Sequence, residues 1–111
     1  MKPISDKRKE QLKEYYALVV RLKMLCECRS ELSGKIYSPY TLAPHHIMGR
    51  RGKLLTNPFN IIIISDAEHL GDDGIQKHNT WEMKQKLLAL VKPIRLRQGF
   101  KEQNKTEGGV E

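Results

Sequence analysis

The sequence predicts an α+β fold: a two-stranded β-hairpin followed by a helix, with one further helix on the N-terminal side and another on the C-terminal side. Three observations predict it. Leu12, Tyr15, Tyr16, Val19, Leu22 and Cys26 recur at three- and four-residue steps, the signature of one helical face. Ile61-Ile62-Ile63-Ile64 is an unbroken β-branched run, which favours a buried strand over a helix. Ser65-Asp66-Ala67-Glu68 and Asn79-Thr80-Trp81-Glu82 each set a capping residue three positions before a Glu, the capping-box pattern that opens a helix.

Each element follows in chain order. The first helix runs from about Lys7 to Leu25, with Ser5 or Asp6 able to cap its start. Residues 30–40 read as loop, with Gly34 and Pro39 as breakers. A short strand follows around Tyr40 to Ile47, then the basic loop Gly49-Arg50-Arg51-Gly52-Lys53. Asn57-Pro58-Phe59 turns the chain into the second strand, which Asn60 opens. The Ser65 cap starts a short helix that carries His69, and Gly71-Asp72-Asp73-Gly74 breaks it. The last helix reaches about Val91, with Trp81, Leu87, Leu88 and Val91 as packing residues and Lys92-Pro93 as its stop. Residues 101–111 are polar and read as a disordered tail, leaving 1–100 as a single domain without internal repeats.

A chain of 111 residues suits one small domain with one modest core. Its 20 Lys+Arg against 13 Asp+Glu give a net charge of +7, which favours an anionic partner, nucleic acid or an anionic membrane surface, without choosing between them. The basic excess lies in 1–60 and 92–111 and flanks a mildly acidic stretch at 61–91. The two cysteines, Cys26 and Cys28, exclude a disulfide scaffold and read as ordinary thiols. No apolar run approaches a membrane span, and the first residues have no apolar stretch behind their charge, so neither a membrane protein nor a signal peptide is expected. The expectation is an intracellular, cytoplasmic domain.

The chemistry-bearing residues cluster. All four histidines lie between residues 45 and 78. His45 and His46 end the first strand, Asn60 opens the second, and His69 sits on the helix that follows. With Pro44-His45-His46-Ile47-Met48-Gly49-Arg50, Asn57-Pro58-Phe59-Asn60, Glu68-His69 and His78, this order resembles the HNH endonuclease family and its ββα-metal motif. The nine-residue step from Asn60 to His69 recurs in that family. The resemblance covers about residues 40–80. It implies His46 as general base, His45 and His69 as ligands of one divalent metal, and Asn60 as the residue that orients the His46 imidazole and braces the loop. It also implies that many members carry a second ligand after the first, the place of His78. The chemistry agrees: phosphodiester hydrolysis needs a base that titrates near neutrality and positive charge against the phosphorane.

Two geometric conditions apply. Neighbours on a regular strand point to opposite faces, so His45 and His46 share a site only where the strand ends or bulges. His69 and His78 on one continuous helix would face opposite ways, so His78 joins only if Gly71 and Gly74 fold the chain back. Asp72 and Asp73 compete for that role. Imidazole ligands leave Mn, Mg, Ni and Zn open. Many relatives also hold a structural zinc through two Cys pairs. Ser65 and Glu68 stand where one such pair is common, so no structural zinc is expected.

The expected function is a metal-dependent endonuclease that nicks DNA with low sequence specificity, as a monomer or weak dimer. The resemblance allows a phage or prophage setting. Arg50, Arg51 and Lys53 are expected to contact phosphate, because they directly follow the histidines. Tyr15, Tyr16 and Trp81 are read as core rather than as base-stacking platforms. Lys7, Arg8, Lys9 and Lys13 are read as a solvated face, with DNA tracking as the alternative. The competing function is a non-catalytic DNA-binding module of the same fold. A third reading is an accessory protein whose histidines bind metal for folding.

Overall fold

An antiparallel hairpin lies at the centre, with β1 (Leu42–His46) paired to β2 (Ile61–Ser65) so that Leu42 faces Ser65 and His46 faces Ile61. The computed structural model describes residues 6–71, 74–75 and 79–102. Around the hairpin stand α1 (Asp6–Leu25), the short α2 (Asp66–Leu70) and α3 (Trp81–Arg97). The chain is therefore α+β, as expected.

The isoleucine run has no polar alternation because both faces of β2 are covered, and all five of its residues are buried. Ile61 and Ile63 pack with Tyr15 and Leu22 of α1, Leu42 and Leu55. Ile62 and Ile64 pack with Ile47, Ile75, and Leu87 and Val91 of α3. The hairpin is thus the filling between two helices. Truncating one of these isoleucines to Ala leaves a cavity, at a cost of about 2–5 kcal/mol.

The outer edge of β2 is closed by one residue. The Glu31 backbone N–H donates to the Ile63 carbonyl at 2.8 Å, and the Ile63 N–H donates to Glu31 Oε1 at 2.8 Å. Such a cover removes an exposed strand edge. Behind it, Ser65 caps α2 in a complete capping box with Glu68. Ser30 donates its hydroxyl to the same Glu68 carboxylate. One carboxylate therefore ties the loop after α1 to the start of α2.

Four details differ from the expectation. β1 begins at Leu42 rather than Tyr40, because Ser38 caps a 3-10 turn over Pro39–Thr41 and leaves Tyr40 exposed. Asn60 closes a 3-10 turn over Pro58–Asn60, one residue ahead of β2. Helix α3 does not stop at Pro93 but continues to Arg97. Proline removes one backbone donor, and the last turn is anchored by the Arg95 side chain instead. Finally, Tyr16 and Trp81 are not core: they are 61% and 67% exposed, and only Tyr15 of the three is buried. Tyr16 follows Tyr15 by one residue, so its side chain turns about 100° away from the hairpin. Trp81 sits in the first turn of α3, offset from the stripe that packs.

Among the described residues, no helix is long and apolar enough to cross a membrane. Of the expected tail, Lys101 and Glu102 are described, and Glu102 reaches Lys92 at 3.4 Å. Residues 103–111 lie outside the described residues.

Candidate active site

The hairpin presents its histidines where β1 ends. His45 looks toward α2 and His46 toward α1, as neighbours on a strand must. Because β1 terminates at His46, both still line one cleft of about 420 Å³. The cleft runs along Pro44 to Arg50 and is closed by Tyr15, His69, Asn79 and Lys84. The condition set by strand geometry is met by the strand's end, without a bulge.

His45 and His69 meet nitrogen to nitrogen, Nδ1 to Nε2, at 3.1 Å, with ring centroids 4.9 Å apart. The capping box sets this contact by fixing the direction in which α2 leaves β2. Two imidazole nitrogens bound to one ion at about 2.0–2.1 Å lie about 3 Å apart when they occupy adjacent positions. The pair therefore fits two ligands of one metal. His45 is buried, and its second nitrogen, Nε2, has no hydrogen-bond partner. Burial, then the charges of His69, His46 and Lys84, push its pKa down to about 4. His45 is thus neutral at pH 7, the form that binds metals.

His46 is held differently. Its Nε2 lies 3.2 Å from the Leu55 carbonyl, and its ring stacks at 5.2 Å on Tyr15. A carbonyl only accepts, so Nε2 carries the hydrogen and Nδ1 carries the lone pair. Burial lowers the His46 pKa most; the Leu55 bond opposes this and the Arg50 charge adds to it. The net effect keeps the imidazole neutral and able to accept a proton.

Asn60 does not orient His46, which corrects the expectation. Its Oδ1 accepts from Met48 N–H at 2.7 Å, and its Nδ2 donates to the Gly49 and Leu54 carbonyls at 2.8 and 3.0 Å. Both amide hydrogens are used, so none is left for an imidazole. Asn60 braces the loop, as expected, and acts on His46 only by shaping the turn that offers the Leu55 carbonyl.

The basic loop splits. Arg50 lines the cleft and lies over the Tyr15 ring, 5.3 Å from its centroid. Arg51 and Lys53 are exposed and do not line it. His78, Asp72 and Asp73 lie outside the described residues. Among the described residues, no group of three or more His, Cys, Asp or Glu side chains is arranged to hold a metal.

Sequence reasoning missed Tyr15 and Lys84. Tyr15 was read as core; it is core on one side and a platform for His46 and Arg50 on the other. Lys84 was legible in principle. It lies seven residues before Val91, within about 20° on the helix, so it heads the stripe of α3 that faces the hairpin. A lysine on an inward stripe needs a partner or a function.

No family model, curated protein or solved structure matches this chain.

Proposed function

We propose that this protein is a metal-dependent endonuclease of the HNH type that nicks DNA with low sequence specificity. The carrying observation is that the 3.1 Å His45–His69 nitrogen pair and the neutral His46 line one cleft. His46 Nδ1 takes a proton from water, whose oxygen attacks phosphorus. The bond to the 3′-oxygen breaks, that oxygen gains a proton, and a 5′-phosphate and 3′-hydroxyl remain. His45 and His69 would hold one divalent metal (Mn, Mg, Ni or Zn), which supplies positive charge to the phosphate and the leaving oxygen when bound. Asn60 keeps the loop in register, and Arg50, with Arg51 and Lys53 outside the cleft, attracts the strand. The setting we infer is cytoplasmic, and the active unit a monomer or weak dimer.

Supercoiled plasmid incubated with each metal, with and without EDTA, tests the reading. Metal-dependent open-circle product that His46→Ala abolishes is the expected result. DNA binding without nicking under every metal would instead leave a non-catalytic DNA-binding module of this fold.

A further inference from the structure

The cleft has a polarity that the histidines alone do not explain. Its described lining holds two permanent cations, Arg50 and Lys84, and no carboxylate. Among the described acidic residues near the histidines, Glu68 is taken up by Ser30 and Ser65, and Asp66 is not part of the lining. The two cations come from opposite sides of the hairpin. Arg50 stands over Tyr15, whose ring packs on the α1 side and touches His46. Lys84 comes from α3, which packs on the other face beside His45. Asn79, just ahead of α3, adds an amide to the same rim.

We propose that the cleft seats one phosphate of a DNA strand between Arg50 and Lys84, with Lys84 as a strand-contacting residue on the His45 side. This rests on the nuclease reading for the strand, but not for the anion. A guanidinium and an ammonium across a cleft match one phosphate group, whose oxygens accept from both. Lys84 then holds the phosphate against the histidines. By contrast, Lys86 on the same helix is exposed and spends its charge on Glu82 at 3.7 Å.

The test uses the full-length chain in EDTA. Inorganic phosphate is titrated into the 15N-labelled protein, and amide shifts are followed at Gly49, Arg50 and Lys84. Saturable shifts there are expected in the wild type. Lys84→Ala and Arg50→Ala should each weaken the apparent affinity at least fivefold, while Lys84→Arg and Lys86→Ala stay within twofold. The spectrum of each variant shows whether it is folded. Equal affinity in Lys84→Ala, or no saturable shift in the wild type, overturns the seat. A labelled duplex then separates strand phosphate from free phosphate. The slope of log affinity against log salt should fall by about 1 in Lys84→Ala and not in Lys86→Ala. An unchanged slope overturns the assignment to a DNA strand. Absence of plasmid nicking beside an intact phosphate response counts against the nuclease, not against the seat.

Discussion

Arg95 at the end of α3 grips Glu31, 64 positions earlier, through two 2.6 Å contacts inside the protein. Arg95 is fully buried and the Glu31 side chain is 4% exposed. The remaining guanidinium hydrogens go to the Pro58 and Ile61 carbonyls and to Gln98 Oε1. All five donors of the arginine are therefore satisfied. Glu31 in turn pairs with Ile63 of β2. One ion pair thus joins the loop after α1, the outer edge of the hairpin and the last turn of α3.

Removing either partner should be costly, because it strands a buried charge. Glu31→Ala or Arg95→Ala is expected to lose about 3–5 kcal/mol in urea unfolding. The double replacement Glu31→Leu with Arg95→Met should lose less than either single change, since no charge is left unpaired. A double variant as unstable as the sum of the singles would show that the pair does not act as a unit.

Asn60 offers a second test of connectivity. Asn60→Ala leaves the Met48 N–H and the Gly49 and Leu54 carbonyls without their partner. A loss of about 1–3 kcal/mol is expected. Asn60→Asp should be no rescue, because a carboxylate faces two carbonyl oxygens with nothing to donate. Thermal melts of both variants check this. If the loop brace is its role, nicking should fall in both, with the pH profile of the residual rate unmoved.

Much of this architecture was legible. The Ser65–Glu68 box and the isoleucine run are local signals, and both elements formed where they were expected. The meeting of His45 with His69 was legible only through the family resemblance; in the fold, the capping box sets the path of α2 that brings them together. What escaped is non-local or ambiguous. Nothing in the sequence around Glu31 points to Arg95, because pairing across 64 positions depends on how α3 crosses the hairpin. Asn60 was assigned to His46 by analogy, yet the turn it closes presents three backbone groups that a side-chain amide satisfies better. Pro93 is no stop because the last turn of α3 is held from outside the helix, by the Arg95 side chain on the Pro58 and Ile61 carbonyls and on Glu31. Trp81 stands at a helical spacing that suggests the core, yet in the first turn of α3 it stays exposed.

Acid should weaken the metal-free protein in a defined window. The folded His45 pKa is about 4, against an ordinary value of 6.5. The unfolded chain therefore binds a proton below about pH 6.5 that the folded chain refuses. Stability is complete above 6.5 and falls as pH drops toward 4. Glu68 adds to this further down. Burial pushes its carboxyl up, but the hydrogen bonds from Ser30, Ser33 and Ser65 together outweigh that and hold it below 4.5. Its contribution is present above 4.5 and is lost as pH falls through the lower folded value. Melting temperatures in EDTA should show both parts. His45→Ala should shrink the upper part of the fall to the share left by His46, whose pKa burial also lowers, and Glu68→Gln should flatten the lower part. A flat profile between pH 6.5 and 4 in the wild type would contradict the burial of His45.

Metal binding can be read without any DNA. If His45 and His69 are two ligands of one ion, Zn or Mn added to the EDTA-treated protein should raise the melting temperature, since the folded state alone assembles the pair. The gain at a hundredfold excess over Kd is about 2.7 kcal/mol. His45→Ala and His69→Ala should each lose at least tenfold in affinity by calorimetry, because each removes a ligating nitrogen. His46→Ala should bind the metal nearly as well as the wild type, because its Nε2 hydrogen is spent on Leu55 and its ring lies on the α1 side against Tyr15. That pattern separates holding the metal from accepting the proton. Loss of metal affinity in His46→Ala equal to that in His45→Ala would mean that both neighbours ligate, and the division of labour across the end of β1 would be wrong.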